Sequence, residues 1–200
     1  MYTIGIDEVG RGPIAGPVVV CACAIKDGID ITPYFPKGIL RDSKKLSEKQ
    51  RSSILEAIQP HIKNDEILFG IGEVSAERID EIGIVPSIKE AVLQALSVLH
   101  NEGVSKESFV YLDGSLHAPE TYKQETVIKG DEKIPQISLA SIFAKSYRDD
   151  LMVELSKIYP GYGFESHVGY GTASHYEALK NNGFCALHRK TFLKSLSNKA

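Results

Sequence analysis

Apolar positions follow two rhythms along this chain, and each predicts a different kind of element. Thr3-Ile-Gly-Ile6 opens a short β-type run, predicting a strand near 3–8, and Val18-Val-Val-Cys-Ala-Cys-Ala-Ile25 is almost continuously apolar, predicting a buried strand over 17–26. Ile67, Leu68, Phe69, Ile71 and Val74 predict another strand, Phe109-Val-Tyr-Leu112 a buried one ending on Asp113-Gly114, and a short one follows near 125–128. Helical spacing appears in Ile88, Ala91, Val92, Ala95, Leu96, Val98 and Leu99 within 86–101, with Gly103 as the stop, and in Leu139, Ile142, Phe143, Leu151, Met152, Leu155 and Ile158 within about 138–158. Ser47 and Gln50 have capping-box spacing and open a helix that stops near Pro60, and Thr172 caps a last long helix ending at Gly183. Between these, Tyr159 to Gly171 is too rich in glycine for a regular helix.

Interleaved strands and helices predict an α/β fold. The 200 residues are 42% hydrophobic and contain no repeat or Pro/Ser-rich linker, so one domain over 1–200 is expected, with a basic helical segment at about 172–200. No apolar run is long enough to span a bilayer, and the few residues before Asp7 leave no room for a signal peptide. The cysteines Cys21, Cys23 and Cys185 lack metal-ligand spacing, which favours a reducing, cytoplasmic setting. A net charge of −3 argues against indiscriminate nucleic-acid binding, but the cations are unevenly placed. Lys180, Arg189, Lys190, Lys194 and Lys199 share an acid-free stretch over 178–200, and Arg41, Lys44, Lys45, Lys49 and Arg51 cluster over 41–51. Basic patches around an acidic centre suit an enzyme that cuts a polyanion.

The acidic centre is expected where the first strand ends on Asp7-Glu8 and opens into Gly10-Arg11-Gly12-Pro-Ile-Ala15. Carboxylates at a strand end beside a loop that can be approached closely suit a divalent cation acting on phosphate. The same loop fits the bare dinucleotide-binding pattern, but that fingerprint needs a helix at its glycines, and here Pro13, Pro17 and a second apolar strand follow. Phe109 to Gly114 repeats the strand-end design, so acids from separate strands can meet at one sheet edge.

Taken in order, Asp7-Glu8, Gly10-Arg-Gly12, Asp42-Ser-Lys-Lys-Leu-Ser47, Tyr111-Leu-Asp-Gly114, Lys129-Gly-Asp131, Ala140-Ser-Ile-Phe-Ala-Lys145 with Arg148-Asp149, and His167-Val-Gly-Tyr-Gly171 strongly resemble ribonuclease HII over roughly residues 3–193. The resemblance implies a ribonuclease H-like fold, with a mixed five-stranded sheet flanked by helices. It also implies cleavage of the RNA strand of RNA-DNA hybrids and incision 5′ to ribonucleotides embedded in duplex DNA, leaving 3′-hydroxyl and 5′-phosphate ends.

Carried over by motif, the catalytic, metal-binding acids are Asp7, Glu8, Asp113 and Asp131, holding two divalent cations, Mg²⁺ or Mn²⁺. Gly10, Arg11 and Gly12 match the loop that reads the ribose 2′-hydroxyl, and Tyr170 matches the tyrosine that packs on the next sugar. Lys44, Lys45 and Lys145 are expected phosphate contacts. Adjacent strand residues face opposite ways, so Glu8 reaches Asp7's site only through a bulge, from the rim, or by its carbonyl. Asp149, Asp131's rival, is expected in a structural ion pair, and His167, His175 and His188 are expected to be structural. Leu139-Ala140 departs from the small pair usual before Ser141.

A ribonuclease HIII-like enzyme, with its extra N-terminal domain, is disfavoured by the six residues before Asp7 and by the intact Gly-Arg-Gly loop. A non-catalytic binding module would be marked by a missing acid, and none is missing. A monomer is expected, because the site is built within one chain.

Overall fold

In the computed structural model, which describes residues 1–193, the strands are β1 (Tyr2–Val9), β2 (Val18–Lys26), β3 (Ile67–Val74), β4 (Phe109–Asp113) and β5 (Gln124–Val127). The helices are α1 (Glu48–Ala57), α2 (Gln59–Lys63), α3 (Ala76–Ile82), α4 (Ile84–Asn101), α5 (Pro135–Ile158), α6 (Phe164–His167) and α7 (Ala173–Asn182). The sheet order is β3-β2-β1-β4-β5, antiparallel from β3 to β1 and parallel from β1 to β5. β1 is therefore the central strand. Its neighbour β2 is buried from Val18 to Ile25, which accounts for its lack of apolar-polar alternation.

Each face of the sheet carries a helical layer. Ile4, Ile6, Val20 and Ala22 pack with Ile88, Ala91, Val92, Ala95 and Leu99 of α4. Val9, Val19, Cys21 and Cys23 pack on the other face with Ile54, Leu139, Ala140 and Ile142, from α1 and α5. Each fully buried isoleucine contributes about 2 kcal/mol. Leu139 is fully buried in this layer, so the larger side chain at that position is accommodated. Close approach of the helices has a local cause. A Cβ on Gly72 would lie 1.9 Å from the Ala91 carbonyl oxygen, and one on Gly5 would lie 2.3 Å from the backbone of Gln136 and Ile137, at the start of α5.

Three helix boundaries differ from those expected, and proline accounts for each. Pro60 does not stop a helix but lies in the first turn of α2, after a break at Ile58. α4 begins at Ile84 with Pro86 in its first turn, and α5 begins at Pro135 itself. A proline near a helix start forfeits no helical hydrogen bond, since its missing N–H would have had no partner. The expected capping box is present at Ser47 and Gln50, and Thr172 caps α7. α3 was unexpected, although Ser75 accepts from Arg78 N–H as its cap. The glycine-rich stretch also holds one helical turn, α6. The basic stretch after α7 forms a short 3₁₀ turn at Lys190–Leu193, and Lys194 and Lys199 lie outside the described residues.

Candidate active site

β1 and β4 run parallel with Ile6 opposite Leu112, so one step further Asp7 lies beside Asp113 at the same sheet edge. β1 keeps its register with β2 through Val9, pairing Asp7 with Cys21 and Glu8 with Val20, without a bulge. Alternation then turns Asp7 toward the α5 face and Glu8 toward the α4 face. Asp113 is tied to the third acidic segment, because its Oδ1 accepts from Gly130 N–H at 2.7 Å. Gly130 begins the 3₁₀ turn that carries Asp131, entered through Lys129 in a left-handed conformation (φ 55°).

These acids act on one another. Burial pushes the Asp7 carboxyl up to about 8, with Glu8 and Asp113 adding repulsion against the opposing pull of the Ser141 hydroxyl. Glu8 is also raised by burial and by Asp113, while Arg11 opposes the shift. Burial raises Asp131 to about 6, with Asp113, Asp42 and Glu132 adding to it and Lys44 opposing.

Among the described residues, no three acidic, imidazole or thiol groups already converge on one ion-sized point. Local partners account for this. Asp7 accepts from Glu8 N–H at 2.8 Å, Asp113 from Gly130, and Glu8 pairs with Arg11 at 3.5 Å. The donor set is all oxygen and deficient in positive charge, which fits hard divalent cations and not soft ones.

The flanking groups sort by position. The turn Asp42-Ser-Lys-Lys45 lies against the Asp131 turn, where Lys45 pairs with Glu132 and Lys44 acts on Asp131. Ser141 on α5 donates to Ser43 at 2.8 Å and fastens that turn from behind. Lys145 is not bonded to any of the four acids. Its ammonium pairs with Asp149 at 2.6 Å, and Asp149 also pairs with Arg51 at 3.3 Å, giving the structural ion pair expected of it. Tyr170 is 41% exposed, and its loop joins the Gly-Arg-Gly loop through Ile14 and Ala15 N–H groups donating to Gly169 O.

Two of the expected surface cations are internal. Arg51 is buried and donates to the Ser43 and Leu46 carbonyls. Arg189 is fully buried, donating to Gly16, Arg11 and Gly10 carbonyls at 2.9, 3.2 and 2.6 Å. Arg148, also fully buried, donates to Pro17, Val168 and Ala15 carbonyls at 3.0, 2.8 and 3.1 Å. The loop carbonyls over 10–17 thus attract two guanidiniums inward, because burial without those acceptors would be prohibitive. A signal for Arg148 exists in the sequence: it falls on the stripe Ile137, Ser141, Ala144, Arg148, Met152, the buried face of α5. No comparable pattern marks Arg189.

A mixed sheet of this order, with Asp7 and Asp113 side by side near the ends of β1 and β4, is a fold of the ribonuclease H-like class. Structural similarity agrees. The ribonuclease H2 of Pyrococcus horikoshii OT3 superposes with a TM-score of 0.73 at 22% identity, covering 100% of this chain and 98% of that one. The Bst-RNase HIII structure in complex with Mn²⁺ gives 0.64 at 19% identity, covering 99% and 71%. The chain belongs to the ribonuclease HII family: the Ribonuclease HII family model matches residues 4–195. Ribonuclease HII of Chlamydia abortus is 47% identical over 188 residues, covering 94% of this chain and 82% of the relative. The protein is accordingly a nuclease, an endonuclease of ribonuclease H type.

Proposed function

We propose that this enzyme incises DNA 5′ to embedded ribonucleotides as well as cutting the RNA strand of hybrids, using divalent cations held by Asp7, Glu8, Asp113 and Asp131. The observation that carries the reading is the meeting of Asp7 and Asp113 from adjacent parallel strands, with the Asp131 turn tied to Asp113 through Gly130; burial raises Asp7, Glu8 and Asp131, Asp113 adds to each, and binding of Mg²⁺ or Mn²⁺ would relieve this. Manganese binding by a fold relative, Bst-RNase HIII, supports the choice of metal. When bound, the cations supply water activation and stabilisation of the departing 3′ oxygen. Asp7 and Asp113 hold the reacting phosphate's side of the edge from adjacent strands, and the Asp131 turn closes it.

Gly12 supports recognition of the ribose by the loop. Its φ is not positive and a Cβ there would meet nothing within 4 Å, so the protein's own packing does not require glycine. Room is kept for something outside the chain, which suits close approach to a 2′-hydroxyl. Gly10, by contrast, has φ 86° and lies against Arg148, so its glycine is structural. Tyr170 packs on the following sugar, and Lys44 and Lys45 contact phosphate.

The test compares a duplex with one ribonucleotide, an all-DNA duplex and a long hybrid. Cleavage on the 5′ side of the ribonucleotide, with 3′-hydroxyl and 5′-phosphate ends, is expected. Cyclic-phosphate ends, or cutting of hybrids alone, would overturn the reading.

A further inference from the structure

Histidines hold the main chain of Tyr170 from both sides. Its N–H donates to the His167 carbonyl at 2.9 Å, and its carbonyl accepts from His175 Nδ1 at 2.9 Å. Behind this contact, His175 Nε2 lies 3.1 Å from His188 Nε2, and His188 Nδ1 accepts from Cys185 N–H at 2.9 Å. His175 and His188 are 0% and 2% exposed, His167 stacks on His175 at 4.3 Å, and Phe164 packs against all three rings.

The ends of this chain fix its direction. A carbonyl only accepts, so His175 carries its proton on Nδ1 and leaves Nε2 bare. His188 must then donate from Nε2, which leaves its Nδ1 bare to receive the Cys185 amide. Each ring has one proton, and this is the one neutral arrangement that pairs a donor with an acceptor at Tyr170, between the rings and at the Cys185 amide; the Cys185 carbonyl, 3.3 Å from His188 Nδ1, is then left facing a bare nitrogen. A proton added to His175 sets N–H against N–H between the rings, and one added to His188 displaces the Cys185 amide and has only the Cys185 carbonyl at 3.3 Å to turn to. Apolar residues could fill this space without any such constraint.

We propose that His175 and His188 are positioning residues for Tyr170, a two-imidazole chain whose single proton arrangement fixes where that side chain is presented. This rests on Tyr170 facing the substrate. The titratable groups around the pair are His167 from α6, Tyr162 at 5.0 Å from the His188 ring, and the Cys185 thiol at 3.2 Å from His188 Nδ1. Among the described residues neither a carboxylate nor a cation acts on either imidazole, although Asp80, Glu81 and Lys190 line the cleft beside His188; burial drives both rings toward the neutral form, His188 down to about 4.

Nitrogen-15 NMR of the imidazoles provides the first test. His175 is expected to be protonated on Nδ1 and His188 on Nε2, both neutral at about pH 6, below the usual histidine range. Reversed tautomers, or two charged rings, would overturn the proposal. His175→Phe keeps the ring and its stacking but removes the Tyr170 contact; His175→Asn retains a donor in the place of Nδ1. The phenylalanine variant should shift the Tyr170 amide signal and lower kcat/KM on the single-ribonucleotide duplex about tenfold, the asparagine variant much less. An unmoved Tyr170 signal would refute the positioning role whatever the activity. In a Tyr170→Ala background His175→Phe should add no further loss, and an additive loss would also refute it. If Tyr170→Ala alone changes nothing, the substrate-facing assignment of Tyr170 falls instead, and the tautomers and the Tyr170 signal still decide the rest.

Discussion

The Asp113 carboxylate accepts the amide hydrogen of Gly130 at 2.7 Å, which ties the end of β4 to the turn carrying Asp131. Asparagine can accept the same bond but carries no charge. Asp113→Asn is therefore expected to lose at least about a hundredfold in turnover with an unchanged or higher Tm, whereas Asp113→Ala also breaks the tie and destabilises by about 1–3 kcal/mol. Cleavage assays and thermal denaturation of both variants check this; wild-type turnover by the asparagine variant would refute the assignment.

Excess chelator should abolish cleavage, and Mg²⁺ or Mn²⁺ should restore it, because the acidic edge has too little positive charge of its own. Full activity in chelator would contradict the proposed site.

The acidic edge also sets a pH dependence of stability. Asp7 goes from an ordinary carboxyl in the unfolded chain to about 8 in the fold, so across that window the folded state binds more protons and stability declines as pH rises. Asp131, raised to about 6, adds the same sign over a narrower range. In chelator, Tm should fall less steeply between about pH 5 and pH 8 in Asp7→Asn than in the unsubstituted protein. Parallel Tm curves would show that Asp7 is not buried in this way.

Gly10 and Gly12 separate the two uses of glycine in one loop. Gly12→Ala should leave stability within about 0.5 kcal/mol of the parent while cutting activity on the single-ribonucleotide duplex severely. Gly10→Ala should destabilise, since φ 86° and the Arg148 side chain oppose any Cβ. Denaturation midpoints and cleavage rates, measured side by side, give the comparison.

Arg148→Lys preserves charge but not the three-way fork to Pro17, Val168 and Ala15. A loss of about 2–4 kcal/mol is expected from the abandoned buried carbonyls, measured by denaturant unfolding. A loss under about 0.5 kcal/mol would mean that the loop holds itself.

The parts of this fold most legible in the sequence were those set by period and by caps. The apolar run of β2, the stripe of α4 and the Ser47-Gln50 box each carry a local cause, whereas α3 and α6 are too short to show a period. Among the candidate residues, Asp113 stands where β4 ends, as its sequence suggests, whereas β1 continues past Asp7 to Val9. The regular register of β1 past Glu8 could not be foreseen, nor could the interior position of Arg189, which depends on carbonyls remote in sequence. Lys145 pairs with Asp149 one helical turn away, and Lys45 likewise pairs with Glu132, local partners that the sequence pattern did not show.

Cys21 and Cys23 lie inside the central layers with both thiols pushed up by burial, while Cys185 is half-buried near the chain's end. The molecule thus carries its own chemical clocks. A thiol reagent added to the native protein would modify Cys185 through local opening, whereas Cys21 and Cys23 would be modified only when the whole sheet comes apart. The ratio of the two labelling rates reads global unfolding separately from loosening of the Tyr170 region, without any engineered probe.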